Sequence, residues 1–234
     1  MIKFNNISKK FGQNQVLTDV NINLEPSSLN SFLGPNGSGK TTLIKIFLGL
    51  VKPDTGNITD KDENILENYI YKENIGYMTQ IANYPDNLTA SDLMSLVIAV
   101  RSRKPVMKDE LISLFKLEDS LKKPLKHLSG GTKQKVNAVI ALMFDCPILV
   151  LDEPTVGLDP QSSRILKDLL IKERSLGKTI LLTSHILQDV EELSDKLNVL
   201  IDGKIVYSGN KNELISQTGS QTLEDSIIKI YTAS

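Results

Sequence analysis

The sequence contains a single cysteine, so a disulfide within the chain is excluded. A chain of this kind fits a reducing compartment, and the expected location is the cytosol. Cys146 stands just before an apolar run, which indicates a buried side chain rather than a metal ligand. With 234 residues and 40% hydrophobic content, the chain is long enough to bury one sizeable core.

Long apolar runs are also absent. No stretch approaches the roughly 18 apolar residues of a membrane-spanning helix, and the first residues, MIKFNN, do not resemble a secretion signal. We therefore expect no direct membrane insertion, and any membrane association to come through a partner. The net charge is −1 and the basic residues are scattered, apart from the short segment KKPLK at 122–126. This balance argues against a nucleic-acid partner.

The first segment with recognisable chemistry is glycine-rich, GPNGSGKT at residues 34–41, after a short apolar stretch. Its spacing fits a phosphate-binding loop between a strand and a helix, whereas a dinucleotide fold would need GxGxxG. In such a loop, backbone N–H groups and the helix N-terminus surround phosphate oxygens. Lys40 is predicted to reach the β- and γ-phosphates, and the Thr41 hydroxyl to bind Mg²⁺. The predicted nucleotide-binding residues here are Gly34, Pro35, Asn36, Gly37, Ser38, Gly39, Lys40, Thr41 and Thr42.

Two acidic residues, Asp152 and Glu153, directly follow the apolar run ILVL at 148–151. An uninterrupted apolar run is typical of a central parallel strand, which would bring Asp152 and Glu153 to its carboxyl end. There Asp152 is predicted to hold Mg²⁺, and Glu153 to polarise the water that attacks the γ-phosphate. The alternative is that Glu153 only caps the next turn. A phosphate loop otherwise has no hydrolytic base, which favours the catalytic role.

Between these two elements lies the segment LSGG at residues 128–131, followed by apolar residues at helical spacing. A serine and two glycines before a helix predict a second helix N-terminus that can bind an anion, through Ser129, Gly130 and Gly131. This combination resembles the ABC (ATP-binding cassette) family over essentially the whole chain. The resemblance implies that the LSGG segment of one subunit closes over the ATP held by the phosphate loop of another.

The same resemblance implies roles for four further residues, from their positions in the sequence. Gln80 in YMTQ resembles the glutamine that senses the metal and the attacking water and lies where the membrane partner docks. His185 in TSH resembles the switch histidine that contacts the γ-phosphate, and Asp159 in GLDP resembles the D-loop aspartate. Phe11 in KKFG resembles the aromatic residue that stacks on adenine, although it also fits a core position.

The resemblance implies ATP and Mg²⁺ as cofactors. The residues implied around the metal are Thr41, Gln80 and Asp152, and the implied catalytic group is Glu153, His185 and Gln80. The residues implied in nucleotide contact, besides the phosphate loop, are Phe11, Ser129, Gly130, Gly131, Asp152 and Asp159.

The sequence departs from the commonest family signature at Thr132, where glutamine is usual after LSGG. The change leaves the predicted anion-binding residues Ser129, Gly130 and Gly131 intact. It bears instead on the contact that the residue after LSGG is expected to make, either to the ribose of ATP or across the dimer. The run GTKQKVNAVIALMFD, with SSRILKD and GKTILLTSH, is similar to ATPase subunits of Nos-type transporters, which are linked to copper-site assembly in nitrous oxide reductase. The cargo itself cannot be derived from these residues, because an ATPase subunit does not contact it.

The resemblance and the sequence pattern together imply an α/β fold. It consists of a P-loop NTPase (RecA-like) core, an N-terminal antiparallel β subdomain and an inserted α-helical subdomain. Residues 1–84 and 145–234 are predicted to form the core with the β subdomain, and 85–144 the helical subdomain that carries LSGG. Together they would make a single nucleotide-binding domain over residues 1–234.

Local patterns add details to this fold. Short strands are predicted in the N-terminal third, a helix over 107–115, and a β-hairpin through a turn at Asp202 and Gly203. Thr89 and Asp92 have the spacing of a capping box at the start of a helix. The residues at helical spacing are Leu43, Ile44, Phe47 and Leu50 behind the phosphate loop, and Leu93, Leu96, Val97 and Val100 after the capping box.

The expected function is that of the ATP-binding and hydrolysing subunit of an ABC transporter, held at the cytoplasmic face of the inner membrane by polytopic membrane subunits. Two copies would associate head to tail on ATP, and hydrolysis would reopen the pair. The alternative to the Nos-type role is the ATPase of a generic exporter of drugs or lipids, which would use the same ATPase chemistry. A soluble ABC switch acting on RNA or DNA is the alternative from another class, but neither a second cassette nor a long coiled-coil insertion is present. Glu153 argues against a third possibility, a regulator that binds nucleotide without hydrolysis.

Overall fold

The computed structural model describes residues 1–66 and 68–233, and its strands form two sheets. In chain order, the strands are β1 (Ile2–Phe11), β2 (Asn14–Leu24), β3 (Leu29–Leu33), β4 (Thr55–Asp60), β5 (Glu63–Asn64), β6 (Ile75–Met78), β7 (Ile148–Asp152), β8 (Thr179–Ser184), β9 (Lys196–Ile201) and β10 (Lys204–Gly209). The α-helices are α1 (Lys40–Phe47), α2 (Ala90–Arg101), α3 (Lys108–Leu114), α4 (Gly130–Leu142), α5 (Pro160–Ser175), α6 (Leu187–Leu193), α7 (Lys211–Thr218) and α8 (Leu223–Ala233).

The N-terminal sheet has the strand order β2–β1–β4–β5, and its pairings are antiparallel, as predicted. Ile2, Phe4 and Ile7 of β1 are buried in the core below this sheet. β1 and β2 contain 10 and 11 residues and are longer than the short strands predicted. Their pairing continues through several shifts of register, and such irregularities let long strands twist without separating.

The second sheet has the order β10–β9–β3–β8–β7–β6. Its strands from β9 to β6 run parallel, and β10 is antiparallel at the edge. β3, β7 and β8 are buried at every position, as expected of central strands covered on both faces. Because the carboxyl ends of parallel strands meet at one edge, the loops after β3, β6, β7 and β8 converge there. These loops carry most of the predicted site residues.

β9 and β10 form the predicted β-hairpin, with Asp202 and Gly203 in its turn at φ values of +45° and +76°. The turn also supports the phosphate loop. The Gly203 backbone N–H donates to the Ser38 carbonyl oxygen at 3.1 Å, and the Gly203 carbonyl accepts from the Thr18 N–H at 2.8 Å. The hairpin therefore connects the phosphate loop to β2, a contact between segments far apart in sequence.

One prediction about helix packing is wrong. α1 ends at Phe47, and the chain turns at Gly49 with φ +67°, so Leu50 points away from the core and is 65% exposed. The other three apolar residues predicted behind the phosphate loop are buried. α2 forms where apolar residues recur at helical spacing, as predicted, and two of these residues, Leu96 and Val100, are exposed. Periodicity alone therefore overestimates the width of the buried stripe on both helices.

Three helices, α2, α3 and α4, lie between β6 and β7, in the segment predicted to be helical. α2 begins with the predicted capping box, in which Thr89 and Asp92 exchange hydrogen bonds between side chain and backbone. α3 covers the predicted helix to within one residue at each end. Apolar side chains of these helices share one cluster with β7, β8 and α5. The division of the chain into subdomains stays a prediction.

Cys146 is fully buried, as its position predicted. The guanidinium of Arg101 donates to its sulfur at 3.4 Å, so the thiol is enclosed by protein. Among the described residues, no helix combines the length and apolar character needed to cross a membrane.

Candidate nucleotide-binding and hydrolysis site

The phosphate loop, residues 34–41, connects the buried strand β3 to helix α1. The Lys40 side chain folds back over this loop, where its Nζ donates to the carbonyl oxygens of Gly34 at 2.7 Å and Pro35 at 3.0 Å. Burial lowers the pKa of the Lys40 ammonium, and the charges of Glu153 and Asp152 oppose this effect. A cationic donor is therefore held at the N-terminus of a helix, an arrangement suited to phosphate oxygens.

Gly39 is the N-cap of α1 and has φ +107°, a conformation that other residues rarely adopt. A Cβ there would lie 2.7 Å from Leu17 Cδ2 and 2.8 Å from the Val16 carbonyl oxygen. We expect Gly39→Ala to lower the free energy of unfolding by about 2–6 kcal/mol, because backbone strain and overpacking add. Urea denaturation measures this loss.

Gly37 provides the matched control for this prediction. It has φ +84°, but a Cβ there would meet nothing within 4 Å. Gly37→Ala should therefore lower the free energy of unfolding by about 1–3 kcal/mol, because backbone strain acts there without overpacking. Equal losses in the two variants would contradict the argument from close contact.

Asp152 lies at the carboxyl end of β7 between two hydroxyl groups. Thr41 Oγ1 donates to its Oδ2 at 3.1 Å, and Thr183 Oγ1 donates to its Oδ1 at 2.5 Å. Burial raises the pKa of the Asp152 carboxyl, and the two hydroxyl hydrogen bonds oppose the rise. Hydroxyl and carboxylate oxygens suit Mg²⁺, which takes few protein ligands and completes its shell with phosphate and water. Thr41 and Asp152 therefore fit a magnesium ion beside the phosphate loop.

Glu153 follows directly and is 6% exposed. Its φ of +50° is uncommon for a residue other than glycine, and backbone strain of this kind occurs at functional sites. Its N–H donates to the carbonyl oxygen and to Oγ1 of Thr183, both at 3.1 Å. Gln80 Nε2 donates to Glu153 Oε2 at 2.9 Å, and His185 Nδ1 lies 3.1 Å from Oε1. The structure thus brings together the three residues predicted to be catalytic, from the loops after β6, β7 and β8.

The contacts of the Glu153 carboxylate bear on the alternative role considered from the sequence. In the described part of the chain, the carboxylate accepts a hydrogen bond from the Gln80 side chain and lies against the His185 ring, and it does not bond to the backbone of the following turn. This argues against a role limited to capping. Gln80 is hydrogen-bonded to Glu153 and not to Asp152, the predicted metal ligand. The contact predicted between Gln80 and the metal would therefore need a shift of the loop that carries Gln80.

A cavity of about 430 Å³ lies between these groups. The residues that line it are Asn14, Val16, Asn36, Gly37, Gly39, Lys40, Thr41, Thr42, Gln80 and Glu153. Phe11 is not among these lining residues and is 50% exposed, with Lys9 Nζ 5.4 Å from its ring centroid. Its predicted stacking on adenine stays a prediction. Sequence reasoning missed Asn14 and Val16, because only tertiary packing places β2 beside the phosphate loop.

The LSGG segment lies at the other predicted helix N-terminus. Ser129 is the N-cap of α4, and Gly130 is the first helical residue. Ser129 Oγ accepts from the Thr132 backbone N–H at 3.2 Å and lies 2.9 Å from Thr132 Oγ1. The residue that departs from the family pattern therefore contacts the predicted anion-binding hydroxyl, and both Ser129 and Gly130 are exposed to solvent.

A second cavity, of about 400 Å³, lies at this helix end. It is lined by Ser129, Gly131, Thr132, Lys135, Gly157, Leu158 and Asp159. Asp159 is the N-cap of α5, and its carboxylate lies 2.7 Å from Lys135 Nζ. The hydrogen bond from Lys135 holds the pKa of the Asp159 carboxyl well below its usual range. The two cavities share no described lining residue, so the LSGG segment and the phosphate loop belong to separate cavities in one chain.

Comparison with known proteins identifies the family. Residues 17–156 match the family described as ABC transporter. The lantibiotic transport ATP-binding protein SrtF of Streptococcus pyogenes is 33% identical, over 91% of this chain and 93% of its own. The Nod factor export ATP-binding protein I of Burkholderia lata is 32% identical, over 95% of this chain and 75% of its own.

Solved structures agree with these relatives. The ATP-binding subunit of an ABC transporter matches with a TM-score of 0.91 at 26% identity, covering 99% of both chains. A dimeric ATP-binding cassette in a post-hydrolysis state bound to ADP and Pi matches with a TM-score of 0.80 at 25% identity, over 90% of this chain and 98% of its own. The chain therefore belongs to the ABC transporter family and is an ATP-binding, ATP-hydrolysing subunit with the α/β fold of that family.

Proposed function

We propose that this chain is the ATPase subunit of an ABC exporter and that two copies associate head to tail when ATP binds. The observation that carries the proposal is the placement of two helix N-termini in separate cavities of one chain. α1 begins at the phosphate loop and α4 begins at LSGG, and both ends can bind phosphate oxygens. A second copy can bring its α4 terminus onto the ATP held by the first. Each ATP would then be enclosed by two chains.

Binding in this composite site depends on three groups. The phosphate loop and Lys40 bind the β- and γ-phosphates, and Ser129 of the second copy binds the γ-phosphate from the opposite side. Thr41 and Asp152 would hold Mg²⁺, which neutralises charge on the phosphates. Burial leaves the Lys40 ammonium poorly solvated, which lowers its pKa and strengthens its attraction to an anion.

Hydrolysis depends on Glu153, which accepts a proton from the attacking water. Gln80 and His185 hold its two carboxylate oxygens. When the γ-phosphate takes over one of these contacts, an oxygen of Glu153 becomes free to accept the proton. The base would therefore become active only after ATP has entered the site.

The membrane component of the proposed exporter is a separate polytopic subunit. Ile81, next to Gln80, and Leu96 and Val100 of α2 are exposed apolar side chains that such a subunit could cover. The chain would then lie at the cytoplasmic face of the cell membrane, attached through that subunit. Movement of the ATP-driven pair would be transmitted to the membrane subunits at this surface.

Export is favoured as the direction of transport because a relative described above is named for Nod factor export. The Nos-type role in copper-site assembly stays a prediction from sequence resemblance, and the names of the relatives do not support it. A switch acting on nucleic acid is disfavoured by the net charge of −1.

The test is ATP turnover by the isolated chain as a function of its concentration. If each site needs two chains, turnover per chain should fall by up to about tenfold on tenfold dilution below the dimerisation constant, by mass action. Lys40→Ala measured in parallel reports any contaminating ATPase. Turnover per chain that is independent of concentration, from a protein that elutes as a monomer, would contradict the composite site.

A further inference from the structure

One polar side chain connects the loop that holds Gln80 to the helix that begins at LSGG. Asn137 lies in α4, about two turns after Ser129, and is 1% exposed. Its Nδ2 donates to the Thr79 carbonyl oxygen at 2.7 Å, and its Oδ1 accepts from the Tyr84 hydroxyl at 2.9 Å. Thr79 and Tyr84 lie on either side of Gln80. The Gln80 loop, residues 79–84, is therefore attached to α4 at both ends.

The orientation of the Asn137 amide follows from its partners. A backbone carbonyl can only accept, so the amide nitrogen must face Thr79. The amide oxygen then faces Tyr84, whose hydroxyl must donate. Burial raises the pKa of Tyr84 to about 12, so this hydroxyl keeps its proton at neutral pH. Asn137 is thus matched to a pure acceptor at one end of the loop and to a donor at the other.

Gln134, one turn earlier in α4, belongs to the same buried cluster. It is 4% exposed, and its Oε1 accepts from Asn137 Nδ2 at 3.3 Å. Within the described residues, Gln134 Nε2 has no hydrogen-bond partner. A buried donor without a partner costs free energy, which a shift of the adjacent loop could recover. The cluster therefore has a physical reason to rearrange when the Gln80 loop moves.

We propose that Asn137 is a positioning residue that couples the Gln80 loop to the LSGG segment. This inference rests on the proposed function, in which Gln80 acts at the ATP of its own chain and Ser129 at the ATP of the second copy. When ATP draws Gln80 from Glu153, the hydrogen bonds of Asn137 to Thr79 and Tyr84 transmit the shift to α4. Because α4 is a single helix of 13 residues with Ser129 as its N-cap, LSGG moves with it. ATP in one site thereby sets the position of the segment that completes the other site.

The test compares two quantities in a Glu153→Gln background, where hydrolysis is blocked. One is the affinity of the dilute single chain for a fluorescent ATP analogue. The other is the protein concentration at half-dimerisation in ATP and Mg²⁺, measured by sedimentation velocity. Asn137→Leu replaces the amide with an apolar group of similar size. We expect the affinity of the single chain to be unchanged and the half-dimerisation concentration to rise by about tenfold, within the usual range of coupling between sites.

Asn198 offers a matched control. It is fully buried in β9, donates to the Ser31 carbonyl oxygen at 3.4 Å and accepts from Ser208 Oγ at 2.8 Å. Asn198→Leu therefore removes the same kinds of hydrogen bond without touching the Gln80 loop, and it should dimerise like the parent. Tyr84→Phe removes one bond of Asn137 without loss of volume, and it tests the proposal even where Asn137→Leu does not fold. Its expected effect is a smaller rise in the same concentration.

The outcomes separate this inference from the proposed function. If the parent dimerises on ATP and both Asn137→Leu and Tyr84→Phe dimerise at the same concentration, the coupling role of Asn137 is wrong and the composite site stands. An equal rise in Asn198→Leu would show a general loss of stability and would also overturn the inference. If the Glu153→Gln parent itself does not dimerise on ATP, the proposed function fails, and the coupling fails with it.

Discussion

Replacing Glu153 with glutamine is expected to lower ATP turnover by about 100- to 10,000-fold, the usual contribution of a general base. The amide has the same size as the carboxylate but cannot accept a proton from water. ATP binding should not weaken, because loss of a negative charge beside the phosphates removes a repulsion. The variant is therefore expected to accumulate as an ATP-bound dimer. Steady-state turnover and gel filtration in ATP and Mg²⁺ measure the two effects.

The control for this prediction is Glu173→Gln. Glu173 is also buried, at 2% exposure, but it pairs with Lys178 away from the site. That variant should lose stability and keep its turnover per folded chain, so comparison of the two separates chemistry from folding. Parental turnover by Glu153→Gln would mean that Glu153 is not the base and that its contacts with Gln80 and His185 are structural.

Ser129→Arg is expected to abolish most turnover, by at least about 100-fold, without changing the affinity of the single chain for ATP. A donor to the developing charge on the phosphate is lost, and losses of this kind alone reach about 100- to 1,000-fold. The arginine would also obstruct closure of the pair. Because Ser129 is exposed and lines the cavity separate from the phosphate loop, the substitution leaves the chain's own nucleotide site intact. Equilibrium dialysis and turnover measure the two quantities.

Ser113→Arg is the matched control, since Ser113 is an exposed serine of α3 outside both cavities, and its turnover should be parental. A mixture of Ser129→Arg with Lys40→Ala adds a stronger test. In the mixed pair, one site takes an intact phosphate loop from one chain and an intact LSGG segment from the other. Recovery of turnover in the mixture would show that the two chains exchange these parts. Normal turnover by Ser129→Arg alone would rule out the composite site.

The parts of the site that could be predicted from the sequence depend on residues close together in the chain. The spacing from Gly34 to Thr41 specifies a loop between a strand and a helix, and the apolar run before Asp152 specifies a central strand. The capping box at Thr89 and the Asp202–Gly203 hairpin turn are equally local. The capping box and the hairpin turn form their hydrogen bonds within a few residues, so their sequence signals do not depend on the rest of the fold.

Other parts of the site have no local signal. Thr183 supports both Asp152 and the Glu153 backbone only because β7 and β8 pair in a register that sets Asp152 beside Thr183. The sequence indicates Asn137 only as a polar residue in a helix, and its partners in the Gln80 loop, Thr79 and Tyr84, lie 58 and 53 positions away. The exposure of Leu50 was missed because α1 ends earlier than the apolar spacing indicated.

Short-range spacing was thus enough to identify the family, the phosphate loop, the acidic strand end and the second helix terminus. The meeting of Gln80, Glu153 and His185, and the separation of LSGG from the phosphate loop, depended on the packing of distant segments. The physical reason is that loops after parallel strands are brought together by strand order and register, which are set by burial of the whole core. Thr41 and Asp152 are 111 positions apart, and their hydrogen bond forms only when β3 and β7 both pair with β8.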